Sequence, residues 1–152
     1  MNKKLLTSVI LFFYCVLLFS ALFLRLGQGI LTNLSSLSER ITDSANLIPF
    51  KTIDNFLKAY KLGNIGLKPM IANLLGNILL FVPMGVILPA VFVRCKKHLF
   101  CFFTFIITIV LVEAIQFITG VGRLDVDDFI LNLAGAFFGR LLYDIYVLIK
   151  RI

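Results

Sequence analysis

A carboxylate, two amides, an arginine and three aspartates crowd the stretch 113–132, which reads EAIQFITGVGRLDVDDFILN. Strongly apolar segments run into it and out of it. Its polar groups therefore stand at the edge of a low-dielectric slab, where a charged side chain costs about 2.5–3.5 kcal/mol at the centre on insertion scales. Three of the carboxylates, Glu113, Asp125 and Asp128, are the candidates for catalysis. As oxygen ligands they could hold Mg²⁺ or Ca²⁺, or Glu113 could act as a general base. With Asn73, Asn77, Gln116, Arg123 and Asn132 they also form the candidate set for binding a ligand. Each has a structural alternative. The asparagines read equally as hydrogen-bonding glue between helices, at roughly 0.6 kcal/mol a contact. Asp125, Asp127 and Asp128 read as a solvated loop and an N-cap, with Asp128 favourable at a helix start.

The elements that must carry these groups follow from hydropathy. The chain has 152 residues, 60% of them hydrophobic, and a mean hydropathy of +1.00. Soluble domains hold about 45–50% apolar residues, so this composition specifies an integral membrane protein of a single domain, 1–152. Four apolar runs, at about 5–26, 71–93, 98–119 and 129–149, each suit a helix crossing a hydrocarbon core of about 30 Å. The first is too long for a signal-peptide core and precedes no cleavage site, so it reads as a retained span. Pro83 lies inside the second, where it should kink the helix and leave a carbonyl for a neighbour. The outer loop, 27–70, is the one long polar segment. Within it Ile53, Phe56, Leu57 and Tyr60 recur at helical spacing, as in an amphipathic helix at the membrane interface or one packed on the bundle. Gly63, Gly66 and Pro69 are expected to break it. The fold class is thus all-α: a four-transmembrane-helix bundle with an interfacial helix in the outer loop.

Depth and phase bring the polar groups together. At 1.5 Å per residue, Asn77, Glu113 and Asn132 lie within roughly 10 Å of the outer ends of three different spans. Asn73 and Asn77 are four apart and Glu113 and Gln116 three apart, so each pair shares a helix face. Asp125, Asp128, Asn132, Gly135 and Gly139 step by three and four along one seam, polar above and glycine below. The glycine pair lets another backbone approach closely. Arg140 and Asp144, four apart in the lower part of the last span, read as an intrahelical ion pair with structural work to do.

The charge pattern orients the bundle. Lys3, Lys4, Arg94, Lys96, Lys97, Lys150 and Arg151 fall on one side with no acid among them, while all six acids outside the spans fall on the other with six basic residues. By the positive-inside rule both termini are cytoplasmic in a plasma membrane. The net charge of +7 belongs to these flanks and to anionic lipid, with no call for nucleic acid. Cys15, Cys95 and Cys101 have no metal spacing, and the lone His98 beside two lysines reads as a loop histidine.

The ordered motifs NLIPFKTI at 46–53, NLLGNILLFVPMG at 73–85, EAIQ at 113–116, GRLDVDD at 122–128 and NLAGAFFG at 132–139 resemble the VanZ-like family of bacterial membrane proteins. The resemblance implies a multi-span envelope protein, linked in some members to glycopeptide or lipoglycopeptide (teicoplanin) resistance. It implies no known reaction. Two functions follow as expectations. One is an accessory or binding role at the outer leaflet, toward an amphiphile such as the lipoglycopeptide or a lipid-linked wall precursor. The other is a metal-assisted enzyme on a lipid-linked substrate, with a divalent cation as cofactor. No nucleophile–histidine arrangement and no metal-loop spacing support catalysis, so no cofactor is expected and binding ranks first. A transporter ranks third, since polarity is concentrated in the outer half and four spans are few without oligomerisation.

Overall fold

A computed structural model describes residues 3–23, 45–119, 122 and 124–151. They form helices α1 (Lys3–Phe23), α2 (Lys51–Lys61), α3 (Leu67–Val91), α4 (His98–Thr119) and α5 (Val126–Ile149), with a short 3-10 turn, Val93–Lys96, joining α3 to α4. No β-strand occurs among the described residues. A single parallel bridge pairs Asn46 with Asp125. Helices α3, α4 and α5 are each long and apolar enough to cross a membrane, and Leu5–Ala21 is a shorter apolar helix. Only 22–28% of each long span's most apolar window is buried, so most of that surface faces outward and needs an apolar surrounding.

The bundle is organised on α3 and α5, which share the closest contact of any pair. Glycine makes that approach possible. A Cβ placed on Gly139 would stand 1.9 Å from the Val82 carbonyl oxygen, one on Gly135 2.1 Å from that of Ile78, and one on Gly85 2.1 Å from that of Ala136. These are backbone-on-backbone contacts that no side chain could share. The Gly135–Gly139 seam thus finds its partner in α3, which contributes a glycine of its own. Phe81, Phe105 and Ile109 fill the core beside this seam at 0–1% exposure.

Helix α1 packs on α3 beside the proline. Pro83 lacks an N–H and so leaves the Leu79 carbonyl without its helical partner. The Tyr14 hydroxyl donates to the adjacent Leu80 carbonyl at 2.9 Å. Helix α3 nonetheless continues through Pro83 and Pro89. It begins four residues earlier than hydropathy indicates, at Leu67, because Pro69 falls in the first turn, where its missing N–H costs nothing. Gly63, at φ 74°, supplies the left-handed residue that stops α2. Helix α5 likewise starts at Val126 rather than Phe129, capped by Asp125.

At the other end, Arg140 is 7% exposed. Its guanidinium does more than pair within the helix. Nε donates to both Asp144 oxygens at 3.0 and 3.1 Å, NH2 donates to the Lys96 carbonyl at 3.0 Å, and NH1 donates to the Cys95 carbonyl. Arg140 therefore ties α5 to the turn between α3 and α4. Cys95, placed in that basic turn, is buried rather than exposed, as is Cys101. All three cysteines are free.

Candidate functional site

Two motifs far apart in sequence meet at the head of α5. Asn46 N–H donates to the Leu124 carbonyl at 2.8 Å, and Val126 N–H donates to the Asn46 carbonyl at 3.0 Å. The Asn46 amide nitrogen donates to Asp125 Oδ1 and to Thr52 Oγ1, both at 3.0 Å. Thr52 Oγ1 in turn donates to Asp125 Oδ2 at 2.5 Å. Asp125 also accepts the Asp127 N–H at 2.9 Å, the ordinary bond of a helix N-cap. One carboxylate thus caps α5 and fastens the segment that precedes α2.

Asp127 completes the joint. Helix α2 starts behind Phe50, a non-glycine residue at φ 66° that offers no side-chain cap. An aromatic residue in the left-handed region carries strain of about 1–2 kcal/mol. The orphan N–H groups of α2 are met from outside: Asp127 Oδ1 accepts Phe50 N–H, and Oδ2 accepts Thr52 N–H at 2.7 Å and Ile53 N–H at 3.1 Å. A carboxylate at a helix N-terminus is favoured by both hydrogen bonding and the helix dipole. Asp127 is fully buried. Of the reading as a solvated loop and an N-cap, the cap is found in Asp125, whereas Asp127 is not solvated: it is a buried carboxyl group with three backbone donors.

Deeper in the bundle, Asn132 on α5 and Glu113 on α4 are 2% and 6% exposed. Asn132 Nδ2 donates to Glu113 Oε1 at 3.0 Å. Asn132 Oδ1 is buried and meets no hydrogen-bond donor among the described residues. Nearly every buried polar atom in a folded protein has a partner, so this acceptor is an exception that calls for a reason. Asn77 on α3 donates through Nδ2 to Asp128 Oδ1. Asp128 and Asp125 lie close enough for their charges to act on Glu113.

Asn73 donates to the Pro69 carbonyl of its own helix at 3.5 Å. Gln116 is half-buried under Gly122, whose N–H donates to the Gln116 carbonyl at 3.1 Å. Arg123 lies outside the described residues. Among the described residues no three His, Cys, Asp or Glu side chains are arranged to hold a metal ion. Both Asp125 oxygens accept hydrogen bonds, from Asn46, Thr52 and the Asp127 N–H.

A family model, VanZ/LLP1, matches residues 11–148. The chain belongs to the VanZ/LLP1 family. No curated protein and no solved structure matches it. The motifs that carry the VanZ resemblance are those just described. NLIPFKTI supplies Asn46, Phe50 and Thr52; GRLDVDD supplies Asp125, Asp127 and Asp128; NLLGNILLFVPMG supplies Asn77 and Gly85, and NLAGAFFG supplies Asn132, Gly135 and Gly139 of the α3–α5 seam. Sequence reasoning passed over Asn46, Thr52 and Asp127 as site residues. Their signal was present, as an asparagine and a threonine flanking Pro49 and an acid two residues after a cap. What was absent was any local hint that the two stretches touch.

Proposed function

We propose that this VanZ/LLP1 protein is a four-span protein of the bacterial plasma membrane, with both termini cytoplasmic, that binds an amphiphile in its outer leaflet. The observation that carries the reading is the Glu113–Asn132 pair. A buried carboxylate and a buried amide face each other between two apolar helices, and among the described residues the amide's oxygen meets no donor. A ligand offering an N–H or O–H group among lipid tails fits that pair. Asp128 and Asn77 stand near it, and the Asp125–Asp127 joint holds α2 at its edge. Helix α2 supports an interfacial role. Thr52, Ile53, Phe56 and Ala59 are half-buried toward the bundle, while Leu57 and Tyr60 are each 41% exposed and available to headgroups. Lipid-tailed glycopeptides and lipid-linked wall precursors both combine an acyl or isoprenoid tail with many donor groups, so both are ligands of the required class.

The test is teicoplanin and vancomycin susceptibility of a sensitive bacterial host expressing the wild type, Glu113→Gln or Asn132→Leu at matched membrane levels. Wild type should raise tolerance of the lipid-tailed teicoplanin more than that of vancomycin, and both variants should lose the effect. Equal protection by Glu113→Gln would sink the role of the carboxylate. No protection by wild type would sink the resistance role and leave the wall-precursor lipid as the ligand to assay.

A further inference from the structure

Away from the Glu113–Asn132 centre, a groove of about 530 Å³ opens where α3 ends, between the 3-10 turn and α4. That volume is within the range of about 300–1,000 Å³ usual for small-molecule sites. Its walls are apolar: Phe92, Val93 and Phe100 line it with Cys95 and Thr104, and Arg94 stands among the lining residues. The Thr104 hydroxyl is satisfied within its own helix, donating to the Phe100 carbonyl at 2.8 Å. Val93 is 75% exposed, although it is a valine at the end of an apolar helix. Arg94, Lys96 and Lys97 follow it on one turn, all exposed, with no acid between them.

We propose that this groove binds an anionic phospholipid of the leaflet on that side, its acyl chain along Phe92, Val93 and Phe100 and its phosphate on Arg94 and Lys96. Charge complementarity selects the occupant. An apolar trough ending in a cluster of cations matches one acyl chain ending in one anion. Asp144, the acid that meets this turn among the described residues, is already engaged by Arg140 at 3.0 Å and faces His98 at 3.8 Å. The turn is also held in shape before any lipid arrives, because Arg140 bonds the Cys95 and Lys96 carbonyls from within the bundle. Preorganisation of this kind lowers the ordering cost of binding.

The test is native mass spectrometry of the full chain released from nanodiscs containing equal amounts of phosphatidylglycerol and phosphatidylcholine with identical acyl chains. Wild type should retain phosphatidylglycerol in clear excess. Arg94→Gln with Lys96→Gln should cut that excess by about fivefold for each cation removed, the size of a juxtamembrane cation's contribution. Thr104→Trp, which fills the groove, should lower retention of both lipids. Val93→Glu, at an exposed position that packing does not constrain, should repel the phosphate and so gives a reading even if Thr104→Trp folds poorly. Retention of the two lipids in the bilayer's own proportion overturns the proposal. So does a preference untouched by Val93→Glu and the double substitution. A dimer in place of lipid adducts, broken by Val93→Glu, would show that a second copy covers the groove. None of these outcomes bears on Glu113 or Asn132.

Discussion

Asp127 accepts the backbone N–H of Thr52 at 2.7 Å across 75 residues of sequence, and the same carboxylate accepts those of Phe50 and Ile53. A helix that begins behind a strained phenylalanine, with no cap of its own, is thus capped by another helix. Asp125 repeats the logic two residues earlier, capping its own helix while holding Asn46 and Thr52. The joint between the segment that opens α2 and the bundle is a carboxylate pair working through hydrogen bonds.

Asp127→Ala leaves three backbone donors without their acceptor. Bonds to a charged group contribute about 1.5–3 kcal/mol each, with strong overlap among bonds to one carboxylate, so a loss of about 3 kcal/mol in docking of α2 is expected. Lys51, Lys58 and Lys61 make α2 a trypsin substrate once it lifts. Limited digestion in nanodiscs should cut the Asp127→Ala protein at these sites much faster than wild type. Equal cutting rates would mean that α2 is held by its apolar face.

Glu113→Gln and Asn132→Leu should part company in stability. Glutamine keeps an oxygen for Asn132 Nδ2 and adds an N–H beside an Asn132 Oδ1 that meets no donor among the described residues, so the melting temperature should hold or rise, by the equivalent of about 0.5–1.5 kcal/mol. Asn132→Leu strips the buried Glu113 carboxyl of its amide and should destabilise by about 1–3 kcal/mol. A large loss with Glu113→Gln would reveal a further partner that needs the charge.

Two glycines of α3 and α5 should respond to alanine in opposite ways. Gly139→Ala drives a methyl into the Val82 carbonyl, 1.9 Å away, and the helices must separate. A cost of about 1–3 kcal/mol is expected. Gly76→Ala meets nothing within 4 Å and should gain about 0.5–1 kcal/mol of helix propensity. Thermal melts of both in one detergent decide the matter, and similar shifts for the two would refute the seam as described.

Arg140→Lys keeps the charge but loses the planar fork that reaches Asp144 and two carbonyls together. The expected loss is about 1.5–3 kcal/mol, read as a lower midpoint in a thermal melt. Asp144→Asn should cost less, since that side chain is 36% exposed and the carbonyl bonds survive. If the two substitutions cost the same, the ion pair outweighs the bonds to the turn.

Chelation should leave the protein as it is. Among the described residues no three His, Cys, Asp or Glu side chains, Glu113, Asp125 and Asp128 included, are arranged to hold a metal ion. Melting temperature in excess EDTA should equal that in millimolar Mg²⁺ or Ca²⁺. A rise of several degrees with either ion would revive the metal-assisted reading.

Local rules made much of this protein legible in its residues. Hydropathy runs located α1, α3, α4 and α5 to within a few residues, because a helix in an apolar surrounding satisfies its own backbone and needs only length and composition. Spacing by three and four placed Glu113 with Gln116 and put Asp128, Asn132, Gly135 and Gly139 on one seam, because helical phase is a local property. That Asn77, Glu113 and Asn132 share one layer near the ends of their helices followed from the rise per residue alone. The pairings inside that layer did not. Whether Asn132 turns to Glu113 or Asn77, and whether Asp127 faces water or the N-terminus of α2, depends on the rotation and offset of one helix against another. Those are set by the Gly85, Gly135 and Gly139 contacts, where backbone meets backbone. No local pattern encodes that register, so only the tertiary structure decided that Asp127, unremarkable in its own loop, closes the site.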